Sequence, residues 1–321
     1  MSPSCTGGRA YRVATFAAVA VVLSSVASAS AAAPLPRTHG STDSTCEPAA
    51  RLGRANDQSE YTLGDLRRID RRLERTLART SVGTNEGARF GLVLRIPVHA
   101  HVIDGKRSLG PSKRAVVRQV AILNSAYDGG QSQYNAATPF RFYLASFDRT
   151  RNERWRTATM FDNADLEARR QLHQGGPDAL NLYFSAPRSP DRDVVLGWSS
   201  TPWLAKRFPR IDGVTLNEQS LPGGDLAGYN RGDTAVHEVG HWLGLFHTFE
   251  GGCSPRNDRV EDTPAELEPS MTCDLEKDTC ESEGLDPVRN FMNYSFDPCM
   301  NMFTPGQVAR MTDNWLAYRT P

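Results

Sequence analysis

The sequence predicts an α+β fold: a sheet with two long helices in the N-terminal half, then an irregular, cysteine-rich half that ends in a helix. Three observations carry this. After residue 90, short apolar runs of strand length alternate with segments of helical period. From 250 to 300 that period vanishes, and prolines, glycines, acids and four of the six cysteines crowd together. Thr304, Pro305 and Gln307 then supply the N-cap, N1 and N3 of a capping box that opens a last helix, Thr304 to Tyr318.

Before residue 90 the chain reads as an address and a leader. Arg9 and Arg12 form a positive n-region, Val13 to Val26 is apolar and small, and Ala27-Ser28-Ala29 is a small-residue cleavage site. The apolar stretch is too short for a membrane anchor. Residues 1–29 are therefore expected to be a signal peptide, and the mature protein to be secreted, extracellular and without a membrane anchor. Residues 30–60 lack apolar period. Leu63, Leu66, Ile69, Leu73 and Leu77 then recur at helical spacing, with Thr62 placed to cap the helix. After a second polar break at Ser81 to Ala88, the sheet pattern begins. Residues 30–88, with the amphipathic helix at 62–79, read as a prosegment, and 89–321 as one catalytic domain. The alternative is a helix that packs permanently on that domain.

Within 89–321, strands are expected at Leu92–Val102, Phe140–Ala145, Leu180–Phe184 and Gly213–Asn217. Helices are expected at Ser112–Tyr127, where Val116, Val120, Leu123 and Tyr127 share a side, and at Thr234–Leu245.

Lys+Arg and Asp+Glu both total 37, so no basic field points to nucleic acid. Cys5 leaves with the signal peptide. Cys253, Cys273, Cys280 and Cys299 can form two disulfides in an oxidising compartment, and three pairings are open. Cys46 is left over.

One eleven-residue stretch carries chemistry: His237-Glu238-Val239-Gly240-His241-Trp242-Leu243-Gly244-Leu245-Phe246-His247. Residues four apart share a helix face, so His237 and His241 can address one metal ion, with Glu238 one step away. Gly244 tolerates the left-handed conformation that ends a helix, and the chain can turn there to return His247 as third ligand. Three protein ligands and one open position describe a catalytic zinc, not a closed structural cage. Five fixed identities at this spacing arise by chance in roughly one chain in 10⁵. The chemistry that follows is hydrolysis by a metal-activated water, with Glu238 as general base.

The motif resembles the metzincins. Its surroundings resemble the ulilysin-like pappalysin family, of a secreted bacterial type, over about residues 92–320. Asp212-Gly213-Val214 running to Leu221-Pro222-Gly223-Gly224, His237 to Phe249, Asn290-Phe291-Met292-Asn293-Tyr294 and Phe303-Thr304-Pro305-Gly306-Gln307 carry the likeness. It implies a metzincin-like catalytic domain with a twisted mixed sheet and a zinc-binding active-site helix, hence a zinc metalloendopeptidase acting on polypeptides as a monomer. It implies that Met292 is the Met-turn residue under the histidines and that Tyr294 steadies the oxyanion. It implies the disulfides Cys253–Cys280 and Cys273–Cys299, and a calcium ion near Asp258, Asp262 and Thr263. It also implies a preference for arginine just after the cleaved bond, with Asp297 facing that pocket. A leader cysteine can silence a metzincin zymogen by occupying the open position, and Cys46 is the candidate; its alternative is a free or intermolecularly paired thiol.

Two other functions stand beside this one: a zinc hydrolase of a non-peptide amide, and a non-catalytic binding module on a protease scaffold. An intact Glu238 argues against the second. An extended substrate pairing with an edge strand, taken to be 213–217, suits a peptide.

Overall fold

The computed structural model describes residues 61–79, 93–188 and 194–321. Residues 1–29, expected to be a signal peptide, residues 30–60 with Cys46, and the break at 81–88 lie outside them. The elements run α1 (Leu63–Leu77), β1 (Leu94–Asp104), α2 (Lys113–Tyr127), β2 (Phe140–Arg151), α3 (Glu153–Arg156), α4 (Asn163–Leu172), β3 (Leu180–Ser185), β4 (Gly197–Ser199), α5 (Pro202–Arg207), β5 (Val214–Asn217), α6 (Asp233–Trp242) and α7 (Pro305–Asn314). A π-helical turn, Trp315–Arg319, follows α7.

The sheet has five strands in the order β2-β1-β3-β5-β4. β1 pairs in parallel with β2 and β3, β3 in parallel with β5, and β4 antiparallel with β5. The sheet is therefore mixed, as expected, and its antiparallel strand is an edge. This corrects one expectation: β5 is covered by β4, so among the described residues the edge strand beside the active-site helix is Gly197–Ser199 rather than 213–217. A three-residue strand offers too little periodicity to read from sequence.

Alternation along the strands sorts the two faces. Ile96, Val98, Ala100 and Val102 of β1, with Leu180, Leu182 and Phe184 of β3, point into the main core. There they meet Val116, Val120, Leu123 and Tyr127 of α2 and Val236, Val239 and Trp242 of α6. Both helices lie on this face, which fixes the depth of α6. The opposite face is smaller: Ile103, Trp155, Ala158, Ala164 and Ala168 pack under α4. Helix α4 differs from the expectation: it is ten residues long, and its only apolar residues are two alanines and two leucines, too few for a clear period. Its N-cap Asp162 accepts from Ala164 N and Asp165 N.

Helix α1 packs against the C-terminal end of the chain and α7. Thr62 caps it in a box with Asp65. Leu66 is fully buried, Leu73 packs against Ala317 and Tyr318, and Asp70 binds Arg310 Nη1 at 3.1 Å.

The half from 250 to 300 contains no helix and no named strand among the described residues. Cys253–Cys280 and Cys273–Cys299 are bonded, the pairing that the resemblance implied. Closing a loop of 27 residues is worth roughly 3–4 kcal/mol in the chain-entropy picture. Buried carboxylates supply further ties. Glu266, fully enclosed, accepts from Thr248 Oγ1 (2.9 Å), Ser270 Oγ (2.6 Å) and Asn293 Nδ2 (2.9 Å). Asp286 accepts from the backbone and hydroxyl of Thr279.

Candidate metal centre and active site

The site is built from α6 outward. Every residue of α6 is buried. Its first residues are set by α2: Gln119 Nε2 donates to Gly232 O at 2.8 Å, and the Tyr127 hydroxyl donates to Val236 O at 3.1 Å. The far end is set by three groups around Trp242. Its indole N–H donates to Asp212 Oδ1 at 3.1 Å, its carbonyl accepts from Arg319 Nε at 2.8 Å, and the Arg319 guanidinium lies 3.5 Å over its ring. Arg319 also pairs with Asp212 at 2.9 Å, in full burial.

Helix α6 stops at Trp242, three residues earlier than the sequence period suggests. Gly244 has φ +94°, the left-handed region, and Leu245 N closes back on Gly240 O at 3.0 Å. A side chain at Gly244 would also overlap Asn314 of α7. The reversal returns His247 to the helix face that carries His237 and His241.

The three imidazoles converge through Nε2. His241 Nε2 lies 3.1 Å from His237 Nε2 and 3.0 Å from His247 Nε2. Their Nδ1 atoms face outward: His237 Nδ1 to Phe291 O at 2.7 Å, His241 Nδ1 to Leu245 O at 2.9 Å, and His247 Nδ1 to Glu250 Oε2 at 3.5 Å. A carbonyl only accepts, so the Nδ1 of the first two carries the proton and leaves the Nε2 lone pair pointing inward. Nitrogen ligands at ordinary zinc distances, arranged tetrahedrally, lie about 3.3 Å apart. The donor set, its tautomers and its spacing therefore fit a divalent zinc-like ion. No other cluster of three such ligands occurs among the described residues.

Around this centre the chain places the other residues picked from sequence. Met292 is fully buried beneath the helix, and a methyl built at Gly240 would overlap its sulphur. Glycine at that position lets the Met292 side chain reach between the histidine turns. Glu238 lies beside edge strand β4: a methyl built on Gly197 would stand 3.1 Å from Glu238 Oε1. The Tyr294 hydroxyl is 3.2 Å from His247 Nε2, and its ring is tilted over His237. Phe249 stacks flat on His247 at 4.7 Å.

The remaining candidates are held by other contacts. Asp262 is engaged at the start of α7, accepting from Thr304 Oγ1 at 2.7 Å and Gly306 N at 2.8 Å. Asp258 and Thr263 are buried, and Asp258 Oδ2 and Thr263 Oγ1 have no hydrogen-bond partner among the described residues. Burial pushes the Asp258 carboxyl well above the usual range. Asp297 is buried at the head of α6, where its Oδ2 accepts from Arg231 N at 2.7 Å. It stands in for the cap that Gly232 lacks.

Sequence reasoning missed two acids. Glu250 stands behind His247. Asp233, buried at the first position of α6, is bonded by Gln131 Nε2 at 3.2 Å. Burial, with Asp297 beside it, raises the Asp233 carboxyl to about 7; burial raises Asp297 to about 6 against the backbone N–H groups that hold it down. An acid at the first position of a helix is common, so neither spacing nor composition marked Asp233.

A buried helix bearing three convergent imidazoles, a methionine floor and a glycine-hinged third ligand define a metzincin-type metallopeptidase. A family model described as Pregnancy-associated plasma protein-A matches residues 209–316. An extracellular metalloprotease of Verticillium alfalfae is 40% identical over 249 residues, covering 71% of this chain and 87% of the relative. Extracellular metalloprotease 1 of Coccidioides posadasii is 38% identical over 233 residues, covering 70% and 78%. The chain belongs to this family, the pappalysins, and is a metalloprotease. The fold agrees with promirolysin of Tannerella forsythia (TM-score 0.65, 24% identity, 81% of this chain and 94% of that one). It also agrees with mature mirolysin in complex with a cleaved peptide (TM-score 0.59, 24% identity, 71% and 99%).

The Asp233–Asp297 pair gives a pH prediction. Their folded values lie above the ordinary carboxyl range, so the stability they contribute is complete below about pH 4. It is lost as pH rises through about 6 to 7. Asp233→Asn should remove on the order of 2–4 kcal/mol of the fall in unfolding free energy between pH 5 and pH 8. Denaturant titration at both pH values measures this, and an unchanged fall in the variant would contradict the assignment.

Proposed function

We propose that the chain is a secreted zinc endopeptidase that cleaves extracellular polypeptides, with His237, His241 and His247 as ligands and Glu238 as general base. The observation that carries this is the convergence of three Nε2 atoms at 3.0–3.1 Å with Glu238 on the same helix, beside an open strand edge. When bound, the zinc ion supplies Lewis acidity that acidifies water to a pKa of roughly 7 and polarises the scissile carbonyl.

The chain's own residues do the rest. Edge strand β4 offers unpaired backbone groups to an extended peptide, which lays the scissile bond along α6. Glu238, anchored against Gly197, takes the proton of the attacking water and passes it to the leaving amine. The Tyr294 hydroxyl donates toward the oxyanion that develops on the former carbonyl oxygen. Met292 holds the histidine turns at fixed depth.

Secretion is supported by the signal-like residues 1–29 and by relatives named as extracellular. No helix among the described residues is long and apolar enough to cross a membrane. Residues 30–88 form the prosegment in this reading, with Cys46 as its metal-directed thiol. The likeness to promirolysin reaches over more of the chain, 81%, than the likeness to the mature form, 71%, which is consistent with that division. The enzyme acts as a monomer.

Glu238→Ala should keep zinc, read by metal analysis, and lose at least about 10³-fold in kcat/KM on a quenched peptide. A strong chelator should abolish the parent's activity. A variant as active as the parent would end the mechanism.

Arginine after the cleaved bond is the preferred residue. Buried Asp297, whose Oδ2 caps α6 and whose Oδ1 has no hydrogen-bond partner among the described residues, supplies the negative pole for its guanidinium. Mass spectrometry of a digested peptide library should show arginine enriched at that position, and Asp297→Ala should flatten the enrichment. An unselective parent would remove this part of the proposal.

Calcium binds at Asp258 and Thr263, whose buried oxygens Oδ2 and Oγ1 are of the kind a hard cation takes. Calcium at about 100 times its Kd should stabilise the parent by about 2.7 kcal/mol in thermal unfolding and leave Asp258→Asn unmoved. Equal responses would refute the site.

A further inference from the structure

The two backbone-held histidines and His247 are steadied by different means. Carbonyls of the fold fix His237 and His241, and neither can be withdrawn without unmaking the Met-turn or the end of α6. His247 has a carboxylate instead: Glu250 Oε2 stands 3.5 Å from its Nδ1, one turn along the chain, with Glu250 N closing on His247 O at 3.0 Å. The other oxygen of Glu250 is taken by the N-terminal helix. Tyr61 N, the residue before the Thr62 cap of α1, donates to Glu250 Oε1 at 2.6 Å. Tyr61 is held there by its ring, edge-on to Phe246 at 5.3 Å and to Trp203 at 6.2 Å. Below it, α1 is anchored by buried Leu66 and Leu73 and by Asp70 between Arg310 and Arg259.

We propose that Glu250 is a positioning residue for the third metal ligand, and that α1 sets it through the Tyr61 N–H. The inference rests on the zinc reading above. The chemistry requires a carboxylate. Two nitrogens approach different oxygens of Glu250, the Tyr61 amide at Oε1 and His247 Nδ1 at Oε2, and only a carboxylate presents an acceptor at each. With both satisfied, the His247 ring keeps the tautomer and the orientation that aim Nε2 at the ion, while Phe249 limits its tilt. Because α1 falls within the proposed prosegment, its departure frees one oxygen of Glu250 and changes how firmly the third ligand is held. Metal retention is thereby coupled to α1 through Glu250.

The test reads zinc affinity, not turnover, by competition with a chelator of known strength on the full chain. Glu250→Ala and Glu250→Gln should each weaken zinc binding about tenfold or more. Glutamine keeps the shape, but while the Tyr61 N–H holds its oxygen it must turn its NH₂ toward the His247 N–H. Removing the amide donor should release it. Tyr61→Pro has no N–H, so in the Glu250→Gln background it should restore most of the lost affinity. Tyr61→Ala loses the same ring but keeps the N–H and should restore none. Near-UV circular dichroism of the metal-free forms checks that each is folded, and the isosteric Gln variant serves if the Ala variant is not. Zinc affinity within twofold of the parent in Glu250→Gln, or equal effects of Tyr61→Pro and Tyr61→Ala on it, overturns the proposal. A parent that binds no zinc overturns the reading beneath it as well.

Discussion

The arrangement depends on a helix that must end one residue after its second histidine. A continuing α6 would carry His247 round to another face, because the period that aligns residues four apart does not align ten. Gly244 makes the stop possible at φ +94°, and the space beneath it is filled by Asn314, so the turn is conformationally permitted and sterically enclosed at once. Arg310 Nε donates to the Gly244 carbonyl at 3.0 Å, satisfying an acceptor that the ended helix leaves open. Helix α7 therefore serves the centre without contributing a ligand.

The metal-bearing stretch was legible because its logic is local. Helical spacing places two imidazoles, and a glycine announces the reversal that places the third. The sheet strands and α2 were legible for the same reason, each by its own period. What could not be read lies at long separation. Asp297 also reaches the amides at the head of α6 through its Oδ2, and it lies far along the chain from Gly232, where a local search for a cap finds none. Glu250 looked like one acid in a loop, and its value depends on a leucine-anchored helix 189 residues earlier. β4 was too short for any period to show.

The irregular half follows a different stabilising logic from the sheet. Beside the apolar side chains it gives to the core, it buries carboxylates. Glu266 draws Thr248, Ser270 and Asn293 together, and so joins the residue after the third histidine to the residue after the Met-turn methionine. Burial raises the Glu266 carboxyl while these donors pull it down. Such hubs give direction that apolar packing lacks, which suits a segment whose task is to hold a tyrosine and a methionine at fixed positions without secondary structure of its own.

Arg319 lies 77 residues downstream of the Trp242 carbonyl it clasps. Met292, Tyr294 and Asn314 also come later in the chain than the histidines they brace. A ribosome therefore releases the hydrolytic helix well before the parts that render it competent. During synthesis the histidine motif is therefore complete as sequence before the groups that would hold it in shape exist.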